Sequence, residues 1–352
     1  MKIAIFASIW AHNLWDELIL KNEIKMLESE YWIDTQFTVF SYDYKNPFLK
    51  QKNIVYKEYF PIWVKNFFNI FRNIKNFFSF IFTTIVSDFI VIWWWWIIYD
   101  WERQSTKEPL GQWLFRTNIF RLFSKKVIFY SVWITVSDKS NYSKIKKIFT
   151  DAYKISVRND YSFNLLKELW ILSTIVEDPV FFDIYKSSNH SFMIKSVKAH
   201  KFSFKDLEDI DLKWKKIAIA FREWYLSDKG NDLHLKLEEW KINELINYIL
   251  WKWWKVLLLP HSFHKTDFLA NDYVFLNNFI KKWKDISIVS SMKDVYKAYI
   301  KKEFDICLAM RLHSIILSQV YEIPFIWVSY SVKTDEVLKE LSDLKELSGF
   351  NK

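Results

Sequence analysis

Residues 89–102 read FIVIWWWWIIYDWE, so four adjacent tryptophans stand at the end of a short β-branched segment. Alternate residues of an extended chain face opposite sides, and the four rings would therefore need space in two packing layers at once. Each indole buries up to about 250 Å² and carries an N–H that needs an acceptor. Parallel α/β proteins place small residues at such strand ends, where the main chain approaches a ligand. Four tryptophans do not fit this position.

Tryptophan also stands at other positions where glycine is usual. The chain has 20 Trp and only 3 Gly among 352 residues, and the two types together make up roughly the 7% share that glycine has in soluble proteins. Several of these tryptophans follow a predicted strand, and others end a predicted helix at the C′ position that favours glycine. They are Trp10, Trp15, Trp133, Trp170, Trp251, Trp253 and Trp254.

We interpret most of these residues as glycines of the natural protein, encoded by UGA in a lineage that reads this codon as glycine. The alternative is a protein that is genuinely rich in tryptophan. Trp63 and Trp113 stand in weaker glycine contexts and could be genuine in either case. The codons behind residues 93–96 decide between the two, because UGA would support the interpretation and UGG would refute it.

Strand and helix patterns alternate along the chain in two series, which predicts an α/β fold. Residues 183–213 separate the two series and are polar, so we interpret them as a linker or peripheral segment. We predict two Rossmann-like, doubly wound domains facing a cleft, formed by residues 1–182 and 214–352. Strands are predicted at 2–8, 35–41, 88–92, 127–132, 153–157 and 174–177, and in the segments KIAIAF, KVLLLP, ISIVS, DICLAM and PFIWVSY.

The charge of the chain favours anionic partners. With 50 Lys+Arg against 41 Asp+Glu the net charge is +9, which suits phosphate, nucleic acid or a membrane face. Compositional drift toward Lys, Asn, Ile and Phe is the alternative explanation. We expect no nucleic-acid partner, because no basic run is interleaved with aromatic residues as in an RNA-binding sheet. Cys307 is the only cysteine, so a disulfide scaffold is excluded and a cytoplasmic location is expected.

One apolar segment, residues 76–99, imitates a membrane span apart from Asp88. If the tryptophans at 93–96 are glycines, the apolar run ends near Ile92. The region then has the pattern of a helix at about 62–85 followed by a strand. The helix combines Lys65, Arg72 and Lys75 with several phenylalanines, a mixture that could lie on the inner face of a membrane. Packing against the rest of the protein is the interpretation we favour from the sequence. Peripheral contact of this helix with a membrane surface is the alternative.

Basic and acidic side chains follow several predicted strands of both series. Because the carboxyl ends of parallel strands meet at one edge of a sheet, such residues are candidates for ligand binding. Arg can clamp two oxygens, Lys acts as a point charge and His can move a proton near neutral pH. A surface ion pair is the alternative for any single Arg, and a structural role is the alternative for any single His. The candidates are Asn13, Asp16, Glu17, Arg158, His261, His264, Arg311, His313, Lys333 and Asp335.

A metal site is not predicted. His261, His264 and His313 could suggest zinc, but no carboxylate or cysteine completes a recognisable ligand spacing.

With glycine restored, the chain resembles the polysaccharide pyruvyl transferase family along nearly its whole length. The matching stretches are AHNLWDE, IVIWWWWIIYD, FYSVWITV, ISVRND with LLKELWI, EDPVF and, most distinctively, MRLHSIILSQVYEIPFIWVSYSVKTDE. The resemblance implies a two-domain enzyme of GT-B architecture that needs no cofactor. Such an enzyme transfers the enolpyruvyl unit of phosphoenolpyruvate to a sugar, forms a pyruvate ketal and releases phosphate.

The resemblance also implies roles for single residues. Arg158, His313 and Lys333 match positions that hold the donor, with His313 as the expected proton donor, and Arg311 belongs to the same motif in a supporting role. The sequence does not choose among Asp16, Glu17 and Asp335 as the group that orients or deprotonates an acceptor hydroxyl. The expected acceptor is a lipid-linked or nucleotide-linked precursor of a cell-surface glycan on the cytoplasmic side.

Two other functions compete with pyruvyl transfer. One is a GT-B glycosyltransferase that uses a nucleotide-sugar donor. The other is an aromatic-rich, basic module that binds membrane or nucleic acid through genuine tryptophans. A binding module of that kind explains neither the strand–helix alternation nor the scarcity of glycine.

Overall fold

The computed structural model describes most of the chain, and its residues group into two compact units. One unit comprises Met1–Ala11 and Asp16–Pro179, and the other comprises His12–Trp15 and Val180–Lys352. The described residues are 1–9, 13–31, 34–41, 44–45, 47–60, 67–93, 98–100, 109–136, 138–176, 179, 192–199, 201–208, 216–222, 239–263, 271–280 and 285–329.

The first unit is built on a seven-stranded parallel sheet. The strands of this unit are β1 (Lys2–Ile9), β2 (Gln36–Ser41), β3 (Ile54–Glu58), β4 (Phe89–Trp93), β5 (Ile98–Tyr99), β6 (Lys126–Val132), β7 (Ile134–Thr135), β8 (Lys154–Val157) and β9 (Thr174–Ile175). The sheet order is β3-β2-β1-β4-β6-β8-β9, and β5 pairs separately with β7. The helices are α1 (Leu14–Tyr31), α2 (Phe67–Val86), α3 (Pro109–Leu122), α4 (Tyr142–Phe149) and α5 (Asp160–Glu168).

The second unit has a six-stranded parallel sheet. Its strands are β10 (Met193–Lys198), β11 (Lys216–Ala220), β12 (Lys255–Leu258), β13 (Ile286–Ile288), β14 (Ile306–Ala309) and β15 (Phe325–Ser329). The order is β10-β15-β14-β11-β12-β13, so the direction of winding reverses between β11 and β14. The helices are α6 (Glu239–Trp251), α7 (Asp272–Asn277), α8 (Met292–Ile300) and α9 (Leu312–Val320).

Apolar runs explain why the central strands form. Strand β14 is buried at all four positions and β4 at four of five, as expected where helices cover both faces of a parallel sheet. In the first unit the rings of Phe6 and Phe40 stack with centroids 4.4 Å apart, and Phe80 meets Phe6 edge-on at 5.6 Å. These aromatic contacts tie the central strand β1 to its neighbour β2 and to helix α2.

The two parallel sheets confirm the predicted fold class of two doubly wound, Rossmann-like halves. A cleft between them stays a prediction. Part of the segment that we interpreted as a linker or peripheral segment, Met193–Lys198, forms the edge strand β10 and pairs with β15. Strand β3 was not predicted either. The predicted helix at about 335–347 lies outside the described residues.

Two tryptophans adopt a backbone conformation that favours glycine. Trp170 has φ 61° and Trp253 has φ 60°, and both follow the end of a helix, α5 and α6 respectively. A bulky L-residue in this left-handed region is a genuine outlier. Their indoles are 90% and 92% exposed, so packing does not hold the rings in place. This geometry supports the interpretation of the two positions as natural glycines, which stays a hypothesis about the codons.

The buried tryptophans divide into two kinds. The indole Nε1 atoms of Trp93 and Trp327 are buried and have no hydrogen-bond partner among the described residues, which costs about 1–3 kcal/mol for each group. Trp113, by contrast, packs like a core residue, with its ring 4.8 Å from the guanidinium of Arg116. Trp10, Trp63 and residues 94–96 lie outside the described part of the chain.

Candidate active site at the carboxyl edge of the second sheet

The candidate site lies in the second unit, where β14 passes into α9. Ligands of doubly wound sheets bind at such a reversal point, next to the carboxyl ends of the strands. The buried strand ends at Ala309, Arg311 is the N-cap residue of the helix, and His313 is its second residue. The backbone N–H groups of Ser314 and Ile315 donate to the carbonyl oxygen of Arg311 at 2.9 and 3.3 Å. A buried helix therefore fixes both Arg311 and His313.

Asp272 holds Arg311 in place. The guanidinium Nε donates to Oδ2 of Asp272 at 2.9 Å, and Nη2 donates to Oδ1. Asp272 is the first residue of α7, is only 2% exposed and also accepts the backbone N–H of His261 at 3.2 Å. This two-pronged ion pair uses the planar fork that distinguishes Arg from Lys. It joins the loop after β12 to the loop after β14.

His261 is fully buried, and its hydrogen bonds fix its tautomer. Its Nδ1 lies 2.9 Å from the carbonyl oxygen of Leu259, so Nδ1 carries the hydrogen. Its Nε2 lies 3.1 Å from the hydroxyl of Tyr299 and therefore accepts from that hydroxyl. Burial lowers the pKa of His261 to about 4, against the opposing influence of Asp272. This imidazole is neutral near pH 7.

The contacts that begin at His261 continue through Tyr299 to the thiol of Cys307. The hydroxyl of Tyr299 lies 3.6 Å from Sγ of Cys307. Burial raises the pKa of Cys307 to about 12 and also raises the pKa of Tyr299. Because a thiolate is the reactive form, Cys307 is an inert core residue. Tyr299 serves to position His261.

His313 lies beside His261 and beneath an indole. Its ring centroid is 6.1 Å from that of His261 and 4.6 Å from the ring of Trp15. Its Nδ1 is buried and has no hydrogen-bond partner among the described residues. Burial holds the pKa of His313 well below its ordinary value, and His261, Arg311 and Arg222 lower it further.

The position of His313 adds to this effect. The N-terminal end of a helix carries a partial positive charge that disfavours a nearby imidazolium. The same helix end offers backbone N–H groups that have no acceptor inside the helix and so favour an anion. The site is therefore desolvated and electropositive, and its histidine is neutral in the absence of an anion.

The turn before α1 contributes to the same site, because His12–Trp15 group with the second unit. Asn13 forms an antiparallel bridge with Ser262, and the backbone N–H of Leu14 donates to the carbonyl oxygen of His261 at 3.1 Å. The side chain of Asn13 accepts the N–H of Trp15 at 3.2 Å. These contacts place position 15, where we expect glycine in the natural protein, against His313.

The remaining described candidates belong to the first unit. Asp16 and Glu17 stand in the first turn of α1 and are 2% and 3% exposed. Arg158 directly follows β8 and is half-buried, and its backbone N–H donates to the carbonyl oxygen of Val132 at 3.2 Å. His264, Lys333 and Asp335 lie outside the described residues.

A model of the family described as "Polysaccharide pyruvyl transferase" matches residues 16–332. The chain belongs to the polysaccharide pyruvyl transferase family. This match confirms the resemblance seen in the sequence and supports a transferase acting on a sugar acceptor. No curated protein matches the chain significantly.

Three solved structures have folds similar to that of this family member. The UDP-GlcNAc 2-epimerase from Methanocaldococcus jannaschii is 13% identical, with a TM-score of 0.45 over 97% of this chain and 92% of its own. A glycosyltransferase from Rickettsia africae is 12% identical, with a TM-score of 0.40 over 94% and 80%. A 2,6-sialyltransferase from Photobacterium is 10% identical, with a TM-score of 0.40 over 95% and 73%. Similarity at these identities and TM-scores says nothing about which of their activities this chain shares.

Sequence reasoning missed three residues of the site in this pyruvyl transferase family member. Arg222 follows β11 by two residues, and the rule that selected Arg158 after its strand could have found it. Asp272 stands 39 positions before Arg311, and only the fold brings the two side chains together. Tyr299 gives no sequence signal, because a buried tyrosine on an amphipathic helix usually belongs to the core. Among the described residues, no group of three or more His, Cys, Asp or Glu side chains could hold a metal ion.

Proposed function

We propose that this transferase moves the enolpyruvyl unit of phosphoenolpyruvate onto two hydroxyls of a sugar, forming a pyruvate ketal and releasing phosphate. Membership of the family supports the reaction class. The observation that carries the proposal for this chain is His313, a buried imidazole at a helix N-terminus with Arg311 and Arg222 nearby.

Phosphoenolpyruvate suits such a site because it carries a carboxylate and a phosphate close together. At an effective dielectric constant near 20, one anionic charge about 5 Å from a cationic group gains about 3 kcal/mol. An anion beside His313 would offset the positive charges that now keep its pKa low. Donor binding would thus raise the pKa of His313 and convert a neutral imidazole into an imidazolium that can donate a proton.

The proposed reaction balances in two steps. The imidazolium of His313 donates a proton to the methylene carbon of phosphoenolpyruvate, which becomes a methyl group, and the adjacent carbon takes on oxocarbenium character. One sugar hydroxyl attacks that carbon, and a second hydroxyl then displaces phosphate. Of the two hydroxyl protons, one restores the imidazolium and the other leaves with phosphate or water. Acid catalysis of this kind contributes roughly 10²–10⁴-fold.

Arg158 and Lys333 complete the proposal as the groups that neutralise and orient the donor. The resemblance of their motifs to the family supports these roles. Asp16, Glu17 and Asp335 are the candidates for the acceptor base. We further propose that the acceptor is a lipid-linked or nucleotide-linked glycan precursor and that the enzyme acts on the cytoplasmic side, without a cofactor.

The direct test uses a protein in which every tryptophan except Trp63 and Trp113 is replaced by glycine. Incubation with phosphoenolpyruvate and an amino-sugar acceptor should release phosphate. His313→Ala should abolish this release, with folding checked by circular dichroism, whereas the exposed-surface variant Lys205→Ala should retain it. Undiminished turnover in His313→Ala would refute the role of His313 as the acid. Consumption of a UDP-sugar in place of phosphoenolpyruvate would favour a glycosyltransferase.

A further inference from the structure

Helix α2 of the first unit presents a wide apolar face to solvent. Phe68, Phe71, Phe78 and Phe82 are 81%, 59%, 65% and 62% exposed. Residues three, four and seven apart lie on the same side of a helix, so the four rings form one stripe. Further exposed side chains widen it. These are Ile70, Ile74, Ile85 and Val86.

The opposite side of α2 is fixed in the protein interior. Phe80 is fully buried, packs edge-on against Phe6 and lies 5.7 Å from Phe120 in a tilted arrangement. Glu58 accepts from Nε of Arg72 at 2.7 Å and from Nδ2 of Asn76 at 2.8 Å. The helix therefore cannot turn its exposed rings inward. Packing of the whole helix against the protein, which we favoured from the sequence, is wrong for this face.

The charges around the stripe are positive. Helix α2 contains no Asp or Glu. Its two charged residues, Arg72 and Lys75, are both exposed, and of these Arg72 is already paired with Glu58. Lys75 lies four residues after Phe71 and three before Phe78, within the stripe itself. On the neighbouring strand, Nζ of Lys57 lies 5.8 Å from the ring centroid of Phe82. Long basic side chains of this kind can extend to a polar layer while rings enter an apolar one.

This combination fits an anionic bilayer surface better than a second copy of the chain. Two α2 faces brought together would oppose their Lys75 side chains, and the helix supplies no carboxylate to compensate them. Soluble monomers rarely leave a contiguous apolar face of this width in water. None of the helices in the described part of the chain has the length and hydropathy of a bilayer span. An exposed apolar face with basic side chains beside it suits a helix that lies along a membrane surface.

We propose that α2 docks the protein on anionic membrane, with its exposed phenylalanines at the acyl boundary and Lys75 among the headgroups. The inference goes beyond pyruvyl transfer and does not depend on it. Docking would bring the enzyme to the membrane surface at which the proposed lipid-linked acceptor lies.

Sedimentation with vesicles tests the proposal on the full chain. Wild-type protein should bind vesicles of phosphatidylcholine containing phosphatidylglycerol more strongly than vesicles of phosphatidylcholine alone. The double variant Phe71→Asp/Phe78→Asp should lower the partition coefficient roughly tenfold or more. Lys75→Glu should weaken binding to the anionic vesicles and leave binding to the neutral ones unchanged.

The matched control is Leu172→Asp/Ile300→Asp, which places the same charges at apolar positions that are exposed elsewhere, 95% and 48%. This control should bind as wild type does. Equal binding of both double variants, or no binding of wild type to either vesicle, would overturn the proposal. Self-association that Phe71→Asp/Phe78→Asp abolishes, without vesicle binding, would overturn it in favour of a second copy. Phosphate release with a soluble acceptor is measured separately, so failure of docking and failure of catalysis remain distinct.

Discussion

Replacing Trp170 and Trp253 by glycine should stabilise the protein. Both residues have φ near +60°, where an L-residue with a side chain loses about 1–2 kcal/mol relative to glycine. Glycine also gives the unfolded chain more freedom, which offsets about 0.4–1 kcal/mol. The indoles are almost fully exposed, so their removal sacrifices little burial. The net gain is about 0.5–1 kcal/mol for each substitution.

Urea unfolding followed by far-UV circular dichroism measures this gain without relying on tryptophan fluorescence. The double variant should unfold at a higher urea concentration than the parent, with an unchanged slope. Leu122→Gly is the matched control, because Leu122 is also exposed but ends α3 with helical geometry. There, glycine should destabilise by about 0.5–1 kcal/mol. Loss of stability at Trp170 and Trp253, equal to that at Leu122, would refute the assignment of these positions to glycine.

Three further perturbations probe buried charge. Asp272→Asn should destabilise the protein by about 3 kcal/mol, because it leaves the guanidinium of Arg311 without its buried counter-ion; a loss below 1 kcal/mol in urea unfolding would contradict the assigned pairing. The pKa of His261 is lowered from 6.5 to about 4, so protons favour the unfolded chain, and stability should fall by roughly 3 kcal/mol as pH drops through this interval. His261→Gln should flatten that pH profile, and an identical profile would count against a buried neutral imidazole. Burial raises the pKa of Glu23, so stability is lost as pH rises above the ordinary pKa of a carboxyl group. Glu23→Gln should therefore stabilise the protein at pH 7 and have almost no effect on stability below pH 4. A lower urea midpoint for Glu23→Gln than for the parent at pH 7 would refute this.

Much of the fold could be predicted from the sequence because its central strands are continuous apolar runs. Strand β14, read as DICLAM, and strand β4, read as DFIVI, are buried on both faces and leave a clear pattern. Strand β10 leaves none, because an edge strand that is largely exposed and carries lysines resembles a loop. Strand β3 mixes buried and exposed residues without alternation and was missed for the same reason.

The candidate site was predictable only in part. The rule that ligand-binding side chains follow strands selected Arg311 and His313, which the structure brings together with Asn13. It could not supply Asp272 or Tyr299, because their roles depend on contacts between distant segments. The low pKa of His313 was equally hidden, since burial is a property of the folded chain. For α2, an apolar helix with few charges gives no sequence signal that separates an exposed face from a buried one.

Deuterium incorporation tests the proposed chemistry most directly. The glycine-restored protein would be incubated in heavy water with phosphoenolpyruvate and a sugar acceptor, and the product examined by NMR and mass spectrometry. We predict a ketal whose methyl group carries one deuterium, delivered by His313 after exchange with solvent, and no product with His313→Ala. A product that retains the methylene as an enol ether, or a methyl group without deuterium, would contradict protonation of the donor carbon by His313.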